Sequence, residues 1–290
     1  MIRKIIIRVC GLVFVSGAFV ACNGTDQMYE GPAYAMFADT LTVCPVQQDG
    51  TTTPIYLGLT QALDHDCTLG VEIIDEGSNA VDGYHYTLDT NTVTIPAGAR
   101  AASVNVRGIY DHIGETDSLG FRLRLVAPES AEWDYYGFET KVRLQKVCPF
   151  VPENFTGYAR VSSSYQLLYK PNDQERIITT SVAGEKRNTI VLHDLLYDGY
   201  DVELEFDNDD VLDPRVRMCD GIIGTTDEAF SAIYGDRQLR IRDYSVVPST
   251  FSSCGNWASI FATIYVKDFG MVGSFQFVIE WISDDEANGI

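Results

Sequence analysis

The feature that most constrains this chain is an alternation. From about residue 33 onward, apolar and polar residues exchange places at every second position in short runs, and turn-forming residues close each run. Phe121-Arg122-Leu123-Arg124-Leu125-Val126 and Val202-Glu203-Leu204-Glu205-Phe206 are the cleanest cases. A period of two puts one set of side chains on one face of an extended segment, so each run specifies a strand with one face in a core and the other toward water. Pro96-Ala97-Gly98 and Asp207-Asn208-Asp209-Asp210 are the kind of punctuation that ends such runs. Up to Leu144 the pattern predicts about seven to eight strands in roughly 120 residues, the density of a β-sandwich. Cys148-Pro149-Phe150-Val151-Pro152 then reads as a short, stiff linker. Beyond it, strands are expected over Gly157 to Leu168, Ile177 to Val182, Thr189 to Leu192, Tyr200 to Phe206, Arg215 to Met218, Gln238 to Tyr244, Ser259 to Val266 and Ser274 to Ile282. Thr225-Thr226-Asp227-Glu228 has the form of a helix cap, for one short helix ending at Gly235. The expected fold class is all-β: an immunoglobulin-like β-sandwich over residues 30–147, followed by a second β-rich domain, sandwich or barrel-like, over residues 148–290.

The first residues give an address. Arg3, Lys4 and Arg8 form a basic head, Val9 to Val20 is uncharged, and Ala21 stands directly before Cys22. The apolar run is too short to span a bilayer, which takes about 20 residues. It has the length and flanks of a signal-peptide core. A small residue followed by cysteine resembles a lipobox, although Phe19 replaces the usual Leu at its first position. The expectation is a lipoprotein: residues 1–21 are a signal peptide, Cys22 carries the lipid, and residues 22–29 are a polar tether. Such a chain is anchored to a membrane rather than spanning it. An ordinary signal peptide cut nearby is the alternative. The chain holds 41 acidic residues against 21 Lys and Arg, a net charge of −20. Removing the leader takes away three basic residues and no acid. So acidic a surface repels phosphate backbones, which sets nucleic acid aside as a partner.

Two longer stretches carry resemblances. Residues 86–111, YTLDTNTVTIPAGARAASVNVRGIYD, followed by LGFRLRLVAP at 119–128, resemble the core of Calx-β-type immunoglobulin-like domains. In that pattern an Ile-Pro-Ala-Gly turn joins two strands and a later strand carries Phe-x-Leu-x-Leu. The resemblance implies a sandwich over roughly residues 30–146. The stretch NTIVLHDLLYDGYDVELEFD, residues 188–207, is similar to the C-terminal β-domain of two-domain outer-membrane lipoproteins of Bacteroides type. That resemblance implies an envelope protein, surface-exposed or periplasmic, and a role beside glycan uptake.

Chemistry is sparser. Cys44, Cys67, Cys148, Cys219 and Cys254 follow Cys22, none in C-x-x-C spacing, so they give no support to a zinc site. Cys44–Cys67 and Cys219–Cys254 would pair within domains and leave Cys148 single; five unpaired thiols are an equal alternative. There is no G-x-S-x-G, no H-E-x-x-H and no Gly-rich phosphate loop. His65 lies in Asp64-His65-Asp66 and reads as a polar turn; His85, between Tyr84 and Tyr86, reads as a packing residue on a strand. The acidic run from Asp207 lacks the Gly of an EF-hand loop. Neither a metal nor a cofactor is assigned. The remaining lead is aromatic. Trp133, Tyr135, Tyr136 and Trp257 fall in loop-like stretches and are the candidate ligand-binding residues, because sugar rings stack their apolar faces on exposed aromatics while polar neighbours orient the hydroxyls. Burial in a core is the competing reading for each, and Trp281 is expected there. The function expected is a non-catalytic, lipid-anchored envelope protein that binds polysaccharide. The alternatives are a structural or adhesion lipoprotein that contacts envelope proteins, and a glycan hydrolase.

Overall fold

The structure, a computed structural model, describes residues 31, 33–126, 137–230 and 235–289. Cys22 and three of the aromatic candidates, Trp133, Tyr135 and Tyr136, lie outside them.

The described chain is mostly strand. In its first half, β1 (Ala35–Phe37), β3 (Thr52–Leu59), β7 (Ala101–Gly108) and β5 (Tyr86–Leu88) form one sheet in that order. The other sheet runs β2 (Leu41–Val46), β9 (Glu139–Lys146), β8 (Leu119–Val126), β4 (Cys67–Ile74), β6 (Thr92–Ile95). The chain changes sheet between β1 and β2, and β2 then runs parallel to β9 while the other neighbours are antiparallel. This is an immunoglobulin-like sandwich. Its inner faces are the apolar halves of the alternating runs. Phe121 and Leu123 of β8 and Val104 and Val106 of β7 are fully buried, and Tyr86 stacks on Phe121 with ring centroids 3.7 Å apart. The sheets approach closely at Gly108, where a Cβ would lie 2.2 Å from a Val46 methyl; only hydrogen fits.

The second half is a barrel. Strands β10 (Gly157–Ser163), β11 (Glu175–Ala183), β12 (Lys186–Leu192), β13 (Val202–Asp207) and β14 (Arg215–Met218) follow one another as antiparallel neighbours. After the paired β15 (Gly221–Thr225) and β16 (Gln238–Asp243) come β17 (Thr250–Ser252), β18 (Trp257–Val266) and the long β19 (Gly270–Ile282). β17 joins β14 to β18, and β19 pairs with both β18 and β10. Eight strands therefore close on themselves, and closure removes the open edges a sheet otherwise leaves. Phe155 sits at the aromatic centre of the core, against Phe150, Phe206, Phe251 and Trp281 at centroid distances of 4.8–5.9 Å. Trp281 keeps its polar edge satisfied by donating from Nε1–H to Thr180 Oγ, at 3.1 Å.

Several sequence expectations need correction. The strand expected from Gly157 to Leu168 stops at Ser163, and α1 (Ser164–Tyr169) follows. The reason is a cap: Ser163 Oγ accepts from the Gln166 N–H and so satisfies a free helix-terminal donor. Leu167 and Leu168 are consequently exposed. His85 stands in the turn before β5, where Nδ1 accepts from the Val81 N–H at 2.9 Å. Neither pairing weighed for the cysteines forms. The disulfide is Cys148–Cys254, and Cys44, Cys67 and Cys219 are free. β2 and β4, which carry Cys44 and Cys67, are separated by β9 and β8 in the sheet. Three strand spacings are about 14 Å, twice what a disulfide can bridge. The helix cap at Thr225 is present: its side chain accepts from the Glu228 N–H and Glu228 reaches back to the Thr225 N–H.

Candidate functional site

The disulfide also defines a place. Cys148 leads out of the sandwich after β9, and Cys254 lies in the turn between β17 and β18, so the bond pins the interdomain segment to the barrel. Over it opens a cleft of about 510 Å³ between the two halves. The sandwich contributes the loop Glu115 to Ser118 and the end of β9, Arg143 to Lys146. The barrel contributes Ser252, Cys254, Gly255 and Trp257. The volume lies in the range of small-ligand clefts.

Local sequence explains the geometry. On the sandwich side, Asp117 accepts from the Gly114 N–H at 2.7 Å, which folds the loop back on itself before β8. Tyr110 packs beneath: its hydroxyl donates to Cys148 Sγ at 3.3 Å, and Lys146 Nζ lies 4.3 Å from its ring centre. Burial pushes the Tyr110 phenol up, and the Glu115 and Asp111 carboxylates add to the shift. On the barrel side, the Gly255 N–H donates to Ser252 Oγ at 3.1 Å, and Asn256 takes the left-handed conformation, φ +48°, which Asn tolerates better than most residues. These two steps turn the chain so that Trp257 begins β18 at the cleft. Its indole lies over Gly255: a Cβ there would come within 2.8 Å of Cδ1 and 3.0 Å of Nε1. Trp257 is 39% exposed. The cleft thus offers one held, half-exposed aromatic face, surrounded by carboxylates, an amide, hydroxyls, a guanidinium and an ammonium. Such a rim matches groups that both donate and accept.

Trp257 is the one ligand-binding candidate from the sequence among the described residues, and the structure brings it together with Glu115, Asp117, Arg143 and Lys146. No pattern pointed to these four as one site, because they come from two segments that only the fold joins to each other and to Trp257. Glu115 also comes within 4.8 Å of the Cys148 and Cys254 sulfurs. With those sulfurs bonded to each other, they are not thiolate ligands.

Two further concavities suit a ligand less well. One, about 480 Å³, lies beside the acidic turn, and most of the charged side chains around it already hold partners. Glu205 pairs with Arg217, Asp213 pairs with Arg215, and Asp207 accepts from the Asp209 N–H. The other, about 460 Å³, is lined mainly by the apolar side chains of Tyr169, Phe230, Phe269 and Met271. His65 and Asp64 pair with each other in a fully solvated turn.

Residues 135–290, more than half of the chain, match a family described as a domain of unknown function, DUF4984. No curated protein matches the chain. Among solved structures, the Calx CBD1 domain in its apo form covers 39% of this chain and 96% of its own, at 14% identity and a TM-score of 0.32. A Bacteroides ovatus protein of unknown function covers 85% of this chain and 89% of its own, at 11% identity and TM-score 0.36. Another from the same species, described as a "putative carbohydrate binding protein", covers 83% of this chain and 69% of its own, at 10% identity and TM-score 0.33.

Proposed function

This chain belongs to the DUF4984 family, and we propose that it is a lipid-anchored envelope protein that binds polysaccharide in the cleft between its sandwich and its barrel. The observation that carries the reading is the Trp257 indole, seated over Gly255 and half-exposed at a polar cleft of sugar-binding size. A pyranose ring would stack its C–H face on the indole, while Glu115, Asp117, Arg143 and Gln145 meet its hydroxyls. The anchor rests on the basic head, the apolar run and Ala21-Cys22 in order; the Cys148–Cys254 disulfide supports an oxidising compartment. The outer membrane is the proposed location.

The test is retention of the mature protein, residues 27–290, on a panel of polysaccharides in affinity electrophoresis. Retention on a glycan, lost in Trp257→Ala with thermal unfolding unchanged, is the expected result. No retention on any glycan would overturn the binding reading. The anchor has its own readout: palmitate labelling in a bacterial host should vanish in Cys22→Ala, and undiminished labelling sinks that part.

A further inference from the structure

A second group of side chains converges on the outer face of the barrel, and none of its members lines the cleft. Along β11 the side chains alternate: Ile178 and Thr180 are buried, and Ser181 faces outward. His193 follows Leu192 at the end of β12, two positions beyond Val191, the cross-strand neighbour of Ser181, and so on the same face of the sheet. Its backbone N–H is held by Thr179 O at 3.0 Å. Asp194 then turns the chain with φ +59°, and its carboxylate accepts from the Gly199 N–H at 2.5 Å, closing a small loop. That closure returns the chain so that Asp201, just before β13, meets the His193 ring.

The distances form a chain. Ser181 Oγ lies 2.8 Å from His193 Nε2, and His193 Nδ1 lies 2.8 Å from Asp201 Oδ2. An ionised carboxylate has only acceptors, so Nδ1 must carry the ring proton and donate it. In the neutral ring, Nε2 is then left as the acceptor of the serine hydroxyl. Nucleophile, base and orienting acid stand in the order that acyl transfer requires, and such sets are recognised by geometry rather than by sequence position. The His193 side chain is 34% exposed and Asp201 53%, so a substrate can reach the ring from solvent.

We propose that Ser181, His193 and Asp201 form a serine acyl-transfer centre that hydrolyses short acyl esters. Ser181 Oγ bonds to the ester carbonyl carbon as its proton passes to His193 Nε2. The carbon–alkoxide bond breaks, and the alcohol leaves with that proton. Water then gives a proton to Nε2 and bonds to the acyl carbon; the carboxylic acid departs and Ser181 regains its proton. Ester and water become acid and alcohol with no change of oxidation state. Asp201 fixes the tautomer and the ring orientation. An open face does not exclude water, so turnover is slow and the acyl groups small.

The experiment uses the mature chain, a fluorophosphonate probe and 4-nitrophenyl acetate. The expected result is a covalent adduct mapped to Ser181 by peptide mass spectrometry. Nitrophenolate release should exceed that of Ser181→Ala by about 10²-fold, the usual scale of positioned acid–base assistance. His193→Ala should lose both signals, and Asp201→Asn should lower them with circular dichroism unchanged. Trp257→Ala should keep both, which separates this centre from the glycan reading. No adduct, an adduct on another serine, or equal release from wild type and Ser181→Ala would overturn it.

Discussion

The two halves of the molecule solve the problem of sheet edges differently. The sandwich leaves its edges open and keeps three of them short: β1 and β5 have three residues each and β6 four. Short edges give a neighbouring chain little to pair with. The barrel has no such edge along its closed circuit, because β19 is long enough, at 13 residues, to pair on both sides. The difference teaches where each half can carry chemistry. The sandwich contributes polar loops and strand ends, and the barrel contributes a fixed aromatic and an ordered outer face. The cleft lies where the two meet, and needs both.

The largest test of this comparison is in the barrel core. Phe155 is fully buried among four other aromatic rings. Phe155→Ala should cost about 3–5 kcal/mol. If the halves hold separate cores, calorimetry should show the barrel transition falling while a sandwich transition stays in place. A single transition that moves as a whole would show the two to be one cooperative unit. Cys148→Ser with Cys254→Ser comes next. The bond spans a sequence separation of 106 residues, and its loss should cost about 2–4 kcal/mol by freeing the denatured chain. It should also weaken glycan retention more than Cys44→Ser or Cys219→Ser does, since only the bonded pair borders the cleft. Gly108→Ala reaches the sandwich alone. Its new methyl would overlap Val46, and overpacking of this kind costs about 1–3 kcal/mol. Pairing it with Val46→Ala should recover part of the loss.

The strands were legible because their alternation is local. Phe121 to Val126 and Val202 to Phe206 are strands as the period of two requires. The turn to helix at Ser163 was not, because Tyr165, Leu167 and Leu168 continue an apolar run that a capping serine interrupts. Trp257 was legible as an aromatic in a loop-like stretch, but what places it at a cleft is Gly255 beneath it and a disulfide to Cys148, and no local pattern gives that pairing. The Ser181, His193 and Asp201 set left no trace in the sequence. Its members come from one strand, the end of the next and the approach to a third, and they are joined by the register between β11 and β12 and by the loop that Asp194 and Gly199 close. Spacing motifs find chemistry carried on one segment; sites assembled by register are visible only in the fold.

The smallest effect concerns the outer face of the sandwich. There Glu139 on β9 receives hydrogen bonds from Arg122 and Arg124 on β8, with Arg124 Nε at 2.9 Å. The bond from Arg124 leads the causes that hold the Glu139 carboxyl below its ordinary range; the charges of both arginines add to it and partial burial opposes. A carboxyl whose pKa is lower in the folded state stabilises that state once the pH is above its unfolded value, and the gain disappears as pH falls through the folded one. Glu139→Gln should therefore cost less than about 1 kcal/mol at neutral pH, as partly exposed pairs do, and the difference from wild type should close on acidification. The same titration should leave the Phe155→Ala deficit unchanged, because the aromatic centre of the barrel contains no ionisable group. If the Glu139→Gln difference persists in acid, shape rather than charge holds β8 to β9, and the sandwich resembles the barrel more closely than its open edges suggest.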